Sequence, residues 1–373
     1  MLSAYISVPS IRLSNFTLTS ALGAGNAPTL AALRAQRSGI VCKRWETLDF
    51  DACIGEVEGL ADFAVRTDLA RFDCRNNRLA QLALEQDGFA DAIRAAIARH
   101  GHTRIGVFLG TSTSGILASE VAYRYRDAYG ALPVEHDYRH THNSYSVADF
   151  VRHYFDLGGP AFVISTACSS GAKVFGSAQR MIAAGLIDAA IVGGVDSLCL
   201  TTLYGFNSLQ LVSPEPCKPF DARRNGISIG EAAGFILLEG ANKTKSDEIV
   251  LSGVGESSDA HHMSSPHPEG RGARLAMEAA LHQAGLSPAD IDYINLHGTA
   301  TPSNDAAEDQ GVTGLFGTDT PCSSTKGHTG HALGAAGAVE TVITVLALRE
   351  GLLPHGLHCE QPDAALRANY LRQ

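Results

Sequence analysis

Ala161-Phe162-Val163-Ile164-Ser165-Thr166-Ala167-Cys168-Ser169-Ser170-Gly171 is the stretch from which the fold is read. Its first five residues are apolar or small and rich in β-branched side chains, the pattern of a buried strand. From Ser170 to Ala184, small and apolar residues recur at helical spacing, which predicts a helix. Cys168 falls on the turn between the two. A helix start offers unpaired N–H groups and a partial positive charge, which favour thiolate over thiol and can hold an oxyanion. The commoner fate of a cysteine is burial as a small apolar side chain, so the rest of the chain must decide.

Working outward, apolar runs at Arg104–Leu109, Ala189–Gly193, Ala233–Leu238, Ile249–Gly253, Asp292–Leu296 and Pro321–Ser324 predict further strands. Ala273–Ala284 and Gly334–Leu348 predict helices, the first stopped by Gly285 and Pro288. Strands alternating with helices imply an α/β protein with buried sheets. Two halves echo each other. Gly110-Thr111-Ser112-Thr113-Ser114-Gly115 and the Cys168 turn follow strands in the first half. His297-Gly298-Thr299-Ala300-Thr301 and Lys326-Gly327-His328-Thr329-Gly330-His331 do so in the second. A duplicated unit with a shared site is expected, divided into residues 1–245 and 246–373.

Composition narrows the function classes. The 373 residues can bury a large core, and a net charge of −10 disfavours nucleic-acid binding. No apolar run is long enough to span a membrane, and no secretion signal is evident. The eight cysteines form no CxxC pair, so neither a zinc cluster nor a disulfide framework is expected, and a cytoplasmic location fits best.

His297 ends an apolar run and precedes small residues, while His331 opens the last helix through a glycine-rich loop. Neutral imidazoles beside a cysteine can donate hydrogen bonds to a thioester oxygen. Any one of the 15 histidines is more often ordinary, and a metal site at His297 and His331 lacks the usual ligand spacing. Lys326, set among small residues, needs a carboxylate partner if buried; Glu308 is the candidate.

Together, the blocks around Cys168, His297 and Lys326–Gly337 resemble the three active-site blocks of β-ketoacyl-acyl-carrier-protein synthases of the Cys-His-His branch. Lys218-Pro219-Phe220-Asp221, Gly230-Glu231-Ala232-Ala233-Gly234 and Ser258-Asp259-Ala260-His261-His262-Met263 agree with the same family. The resemblance spans nearly the whole chain and implies a thiolase-like fold, a duplicated five-layer α-β-α-β-α architecture. It also implies roles. Cys168 carries the acyl group, His297 and His331 support decarboxylation of malonyl-carrier protein and hold the enolate oxygen, and Lys326, paired with Glu308, tunes the histidines. No organic cofactor is implied, but a structural monovalent or divalent cation near Asn295, Glu308 and Glu340 is. The implied partners are an acyl carrier protein and a dimer mate, either a second copy or a chain-length-factor homologue. Lys218, Arg223 and Arg224 are the expected docking residues for the acidic carrier.

Cys74-Arg75-Asn76-Asn77-Arg78, Gly110–Gly115 and Gly205-Phe206-Asn207-Ser208-Leu209 are similar to synthases of bacterial aryl-polyene clusters. The family closes with a glycine-rich Gly-Phe-Gly-Gly segment and a final strand. The sequence reaches Gln373 without one, so a missing C-terminal strand is expected. Three rival readings remain: a thiolase, for which Cys359 lacks the expected Cys-x-Gly setting; a non-catalytic chain-length factor, which would lack the cysteine; and a plain fatty-acid elongase serving membrane lipids, which only substrate preference separates from pigment or polyketide synthesis.

Overall fold

The computed structural model describes residues 10–241, 246–262 and 265–372. The expected boundary between residues 245 and 246, and Met263 of the run quoted above, touch positions outside the described residues.

Along the first half run β1 (Ser10–Ser20), β2 (Val41–Lys43), β3 (Ala52–Gly55), α1 (Arg75–Leu84), β4 (Ile105–Gly110), α2 (Ile116–Arg124), α3 (Ser146–Tyr154) and β5 (Ala161–Ile164). They are followed by α4 (Ser170–Ala183), β6 (Ala189–Asp196), β7 (Ile229–Gly230) and β8 (Ala232–Ala241). The second half contributes β9 (Val250–Leu251), α5 (Arg271–Ala284), β10 (Ile294–Asn295), α6 (Pro302–Phe316), β11 (Pro321–Ser323), α7 (Ala336–Glu350) and β12 (Asn369–Tyr370).

The main sheet has the order β9-β1-β8-β6-β4-β5. β4 runs parallel to β5 and β6, while β8 lies antiparallel between β6 and β1. Its central strands are apolar at almost every position because both faces are covered. Ile105, Val107, Leu109, Ala189, Ile191, Phe235 and Leu237 point to one face, against α1 and α3. Phe108, Ala190, Val192, Ile236 and Leu238 point to the other, against Val174 and Phe175 of α4 and Val339 and Val342 of α7. The two-residue period of a strand therefore divides one apolar run between two helical layers. Beyond α4 and α7 lies a parallel sheet of order β10-β11-β12, and α5 packs on α6. A third, small sheet joins β2, β3 and β7.

Three features depart from the sequence reading. Strand β1 was not anticipated. A register shift between Leu13 and Asn15 inserts one residue, so Ile11 and Leu13 share a face with Phe16 and Leu18. A bulge thus breaks the alternation that marks a half-buried strand. Second, the run expected as strand Ile249–Gly253 pairs only at Val250–Leu251, and it joins the first half's sheet through β1. Third, Cys42 and Cys53 are joined by a disulfide. The absence of CxxC spacing argued against a framework. This is a single local bond between residues that the β2–β3 pairing sets directly opposite one another.

Candidate active site

The turn after β5 is shaped by its small residues. Ala167 has φ of 54°, which a residue without a branched side chain adopts at least cost. Ser169 and Ser170 fasten the turn: Thr166 N–H donates to Ser170 Oγ at 2.8 Å, and Ser169 Oγ donates to the Thr166 carbonyl at 2.8 Å. Cys168 is thereby held just before α4. An Ala167→Val substitution should strain this turn by about 1–3 kcal/mol and displace the sulfur. Condensation should fall far more than the melting temperature, and activity equal to the parent would show that the turn does not set the nucleophile.

Cys168 Sγ lies 3.0 Å from His331 Nε2. The rings of His331 and His297 meet edge to face with centroids 5.1 Å apart. Among the described residues, these three form the only group of ligand-type side chains whose reactive atoms all lie within 4.8 Å. Residues 129 and 163 positions downstream of the cysteine are thus brought to it by the two halves packing together. His331 is fixed through its backbone: its N–H donates to Ser228 O at 2.7 Å, and its carbonyl accepts from Gly230 N at 2.9 Å.

Electrostatics set the resting protonation. Burial pushes the Cys168 thiol up to about 11, although the Lys326 ammonium pulls the other way. Burial therefore outweighs the helix-start effect expected from the sequence, and the resting nucleophile is a thiol. Burial and the charge of Lys326 hold both histidines well below the ordinary imidazole range, so both are neutral near pH 7. Lys326 Nζ sits 3.3 Å from His297 Nδ1. An ammonium only donates, so Nδ1 accepts and the ring proton resides on Nε2. The other cysteines outside the disulfide (Cys74, Cys199, Cys217, Cys322 and Cys359) are buried. Their thiols are also raised, so Cys168 is distinguished by access and by its imidazole partner, not by acidity.

The expected Lys326–Glu308 pair is corrected. Lys326 binds the Glu340 carboxylate and donates to the His297 carbonyl at 2.5 Å. Glu308 instead grips the backbone beside it, accepting from His297 N at 2.6 Å and Gly298 N at 2.7 Å. A helix residue on α6 reaching back over the strand exit could not be inferred from spacing. Burial raises the Glu308 carboxyl to about 7. Its folded pKa lies above its unfolded one, so the folded state binds the extra proton and stability falls as pH rises from about 4.3 towards 7. Glu308→Gln should flatten the melting temperature across that window. A parallel downward slope in both proteins would assign the titration elsewhere.

Asp196, at the end of β6, was missed. Its carboxylate accepts from Thr111 Oγ1, Ser112 N, Thr113 N and Gly334 N, tying the Gly110–Gly115 loop to the turn after His331. The cue was a strand ending in an acid, Gly194-Val195-Asp196, opposite a Thr/Ser-rich loop. The expected docking residues all make local ion pairs. Lys218 pairs with Glu215, Arg223 with Asp221 and Glu360, and Arg224 is buried against Asp363. Beside His297 opens a groove of about 460 Å³ lined by Ser169, Lys173, Glu256, Ser257, Asn304 and Glu308.

Comparison with known proteins agrees with this geometry. The chain matches the models "Beta-ketoacyl synthase, N-terminal domain" over residues 23–244 and "Beta-ketoacyl synthase, C-terminal domain" over residues 249–360. It is 33% identical over 365 residues to 3-oxoacyl-[acyl-carrier-protein] synthase 2 of Vibrio cholerae, covering 90% of this chain and 85% of that one. The mitochondrial 3-oxoacyl-[acyl-carrier-protein] synthase of Arabidopsis thaliana is 41% identical over 226 residues, 56% of this chain and 49% of the relative. Among solved structures, the ketosynthase ApeO from Xenorhabdus doucetiae, determined in complex with its chain length factor ApeC, superposes with a TM-score of 0.89. It shares 40% identity and covers 98% of this chain and 91% of its own. Matched over both halves and carrying cysteine, histidine and histidine in one cluster, the chain belongs to the β-ketoacyl synthase family of thiolase-like fold, and it is an acyltransferase.

Proposed function

We propose that the protein elongates a carrier-bound acyl chain by two carbons through decarboxylative Claisen condensation, with Cys168 as nucleophile. The 3.0 Å contact between Cys168 Sγ and His331 Nε2 carries this reading. The thiol attacks the carbonyl of an acyl thioester, its proton passing to His331 and then to the departing carrier thiol. A malonyl thioester then loses CO2, and the electrons of the broken C–C bond move into its thioester carbonyl. That enolate oxygen needs hydrogen-bond donors rather than a strong base. Neutral His297, with its proton on Nε2, supplies one donor, and His331 supplies the other in the tautomer that carries its ring proton on Nε2. The enolate carbon attacks the acyl-Cys168 carbonyl, the C–S bond breaks, and a 3-ketoacyl thioester leaves; the released Cys168 thiolate takes a proton from water, which restores the thiol. Splitting the transfer through a covalent intermediate divides one hard step into two. Lys326 acts through the histidines, keeping both neutral, and Glu308 positions the His297 backbone.

Asn295 Oδ1 is buried without a hydrogen-bond partner, close to Glu340, whose carbonyl accepts from Asn295 Nδ2 at 3.3 Å. With Glu308 and Glu340 both raised by burial and Lys326 their main counter-charge, this donor set fits a hard cation bound through oxygen. Such an ion would add positive charge behind the histidines; the chemistry needs no organic cofactor.

An acyl carrier protein delivers both substrates in this reading, and the partner is a second copy or a chain-length-factor homologue. Supporting that, β5 forms the free edge of the main sheet and leaves Phe162 52% exposed. No helix of the described residues is long and apolar enough to cross a membrane, which suits work in the cytoplasm; an aryl-polyene precursor is the favoured product. Incubation with an acylated carrier protein should load Cys168 with a mass increment that malonyl-carrier then discharges. Absence of any adduct on the folded protein would remove the reading.

A further inference from the structure

We propose that Cys42 and Cys53 are a reversible redox site that tightens or slackens the loop holding His331. The proposal rests on His331 being catalytic, as read above.

The bond joins an edge to a core. β2 is the edge strand of the small sheet, and all three of its residues, Cys42 included, are exposed. Cys53 is fully buried on β3. β3 pairs in parallel with β7, Ile54 opposite Ile229 and Gly55 opposite Gly230. Those same β7 residues hold the catalytic loop: Ile229 bridges to His331, and Gly230 N donates to the His331 carbonyl. The fit leaves no slack, because a side-chain carbon at Gly55 or Gly230 would lie 2.2 or 2.4 Å from the Thr329 carbonyl oxygen. The hairpin between the cysteines adds a second route. Its Trp45 and Leu48 are buried in one apolar cluster with Ile229 and Leu333, two residues beyond His331.

Access favours this pair. The remaining cysteines other than Cys168 are buried, so a small oxidant meets Cys42 before any structural thiol. With a low-molecular-weight disulfide RSSR, the Cys42 thiolate attacks one sulfur, forming a mixed disulfide and expelling RS⁻. Cys53, set opposite, displaces the second RS⁻. The two protein thiols are oxidised, RSSR is reduced to two RSH, and the two thiol protons go to the departing thiols. In a reducing compartment a bond of this kind is a sensor rather than a permanent staple.

The full-length protein and its Cys42→Ser/Cys53→Ser variant would be equilibrated in glutathione buffers of graded ratio. Peptide mass mapping then reads the Cys42–Cys53 bond. The rate constant for iodoacetamide alkylation of Cys168 reads the site, and Cys168 trapped as a mixed disulfide lowers only the amplitude. The parent should pass from dithiol to disulfide across the series. Its Cys168 rate constant should change at least about twofold with the bond, and the variant should show one constant rate throughout. Two thiols that stay free at every ratio, or a bond that forms without moving the rate constant, would overturn the proposal. Redox-dependent alkylation in a protein that never accepts an acyl group would instead sink the synthase reading and leave the redox site standing.

Discussion

Cys168→Ala is expected to lose acyl loading entirely and to lower condensation by at least about 10³-fold, while the fold is kept. The side chain is small and sits on a turn fastened by Ser169 and Ser170 rather than by its own sulfur, so no large packing loss accompanies the change. The informative measurement is decarboxylation of malonyl-carrier protein by the variant. Loss of CO2 requires donors to the thioester oxygen, and His297 and His331 remain in place around a vacated sulfur position. The variant should therefore release CO2 without forming product. If decarboxylation vanished together with condensation, the sulfur itself would be needed to organise the donors. If acyl loading persisted, one of the other thiols would be the nucleophile, against their burial.

What the sequence disclosed, and what it withheld, follows the range of each interaction. The Cys168 turn was legible because a strand, a run of small residues and a helix start are local patterns. The predicted helix Ala273–Ala284 became Arg271–Ala284, and the predicted strand Ala161–Ser165 became Ala161–Ile164, since periodicity reports burial within a few residues. Cys168, His297 and His331 could be named as candidates because each follows a strand exit. Their convergence came from the family resemblance, not from spacing. The choice of Glu340 over Glu308 for Lys326 was illegible because both acids lie on helices a few residues from the site. Which one faces the ammonium depends on how α6 and α7 are rotated against the strand ends. Asp196 escaped for a related reason: its donors come from two segments, 85 and 138 residues away, that only the packed halves bring together. The Cys42–Cys53 bond needed the hairpin register, which composition cannot supply.

Lys326→Met tests the strongest electrostatic claim, and it should destabilise the protein by about 3–5 kcal/mol at neutral to alkaline pH. The ammonium is 3% exposed and bound to Glu340, so removing it leaves a buried carboxylate without its counter-charge. Methionine nearly matches the stem in volume, which confines the effect to charge. The sign of the pH dependence follows from the same carboxylate. Burial already raises Glu340 above the ordinary range, and loss of Lys326 raises it further. Below that pKa the acid is protonated and needs no partner, so the penalty should shrink as pH falls and grow as pH rises through it. Catalysis should respond separately. Without the positive neighbour His297 and His331 become easier to protonate, and Nδ1 of His297 loses the donor that fixes its tautomer. The acid limb of kcat should therefore move to higher pH, and kcat at neutral pH should drop. A stability loss with an unmoved acid limb would make Lys326 a structural ion-pair partner alone. An intact melting temperature at alkaline pH would mean that Glu340 is neutral in the parent, and that the lysine's charge is answered elsewhere.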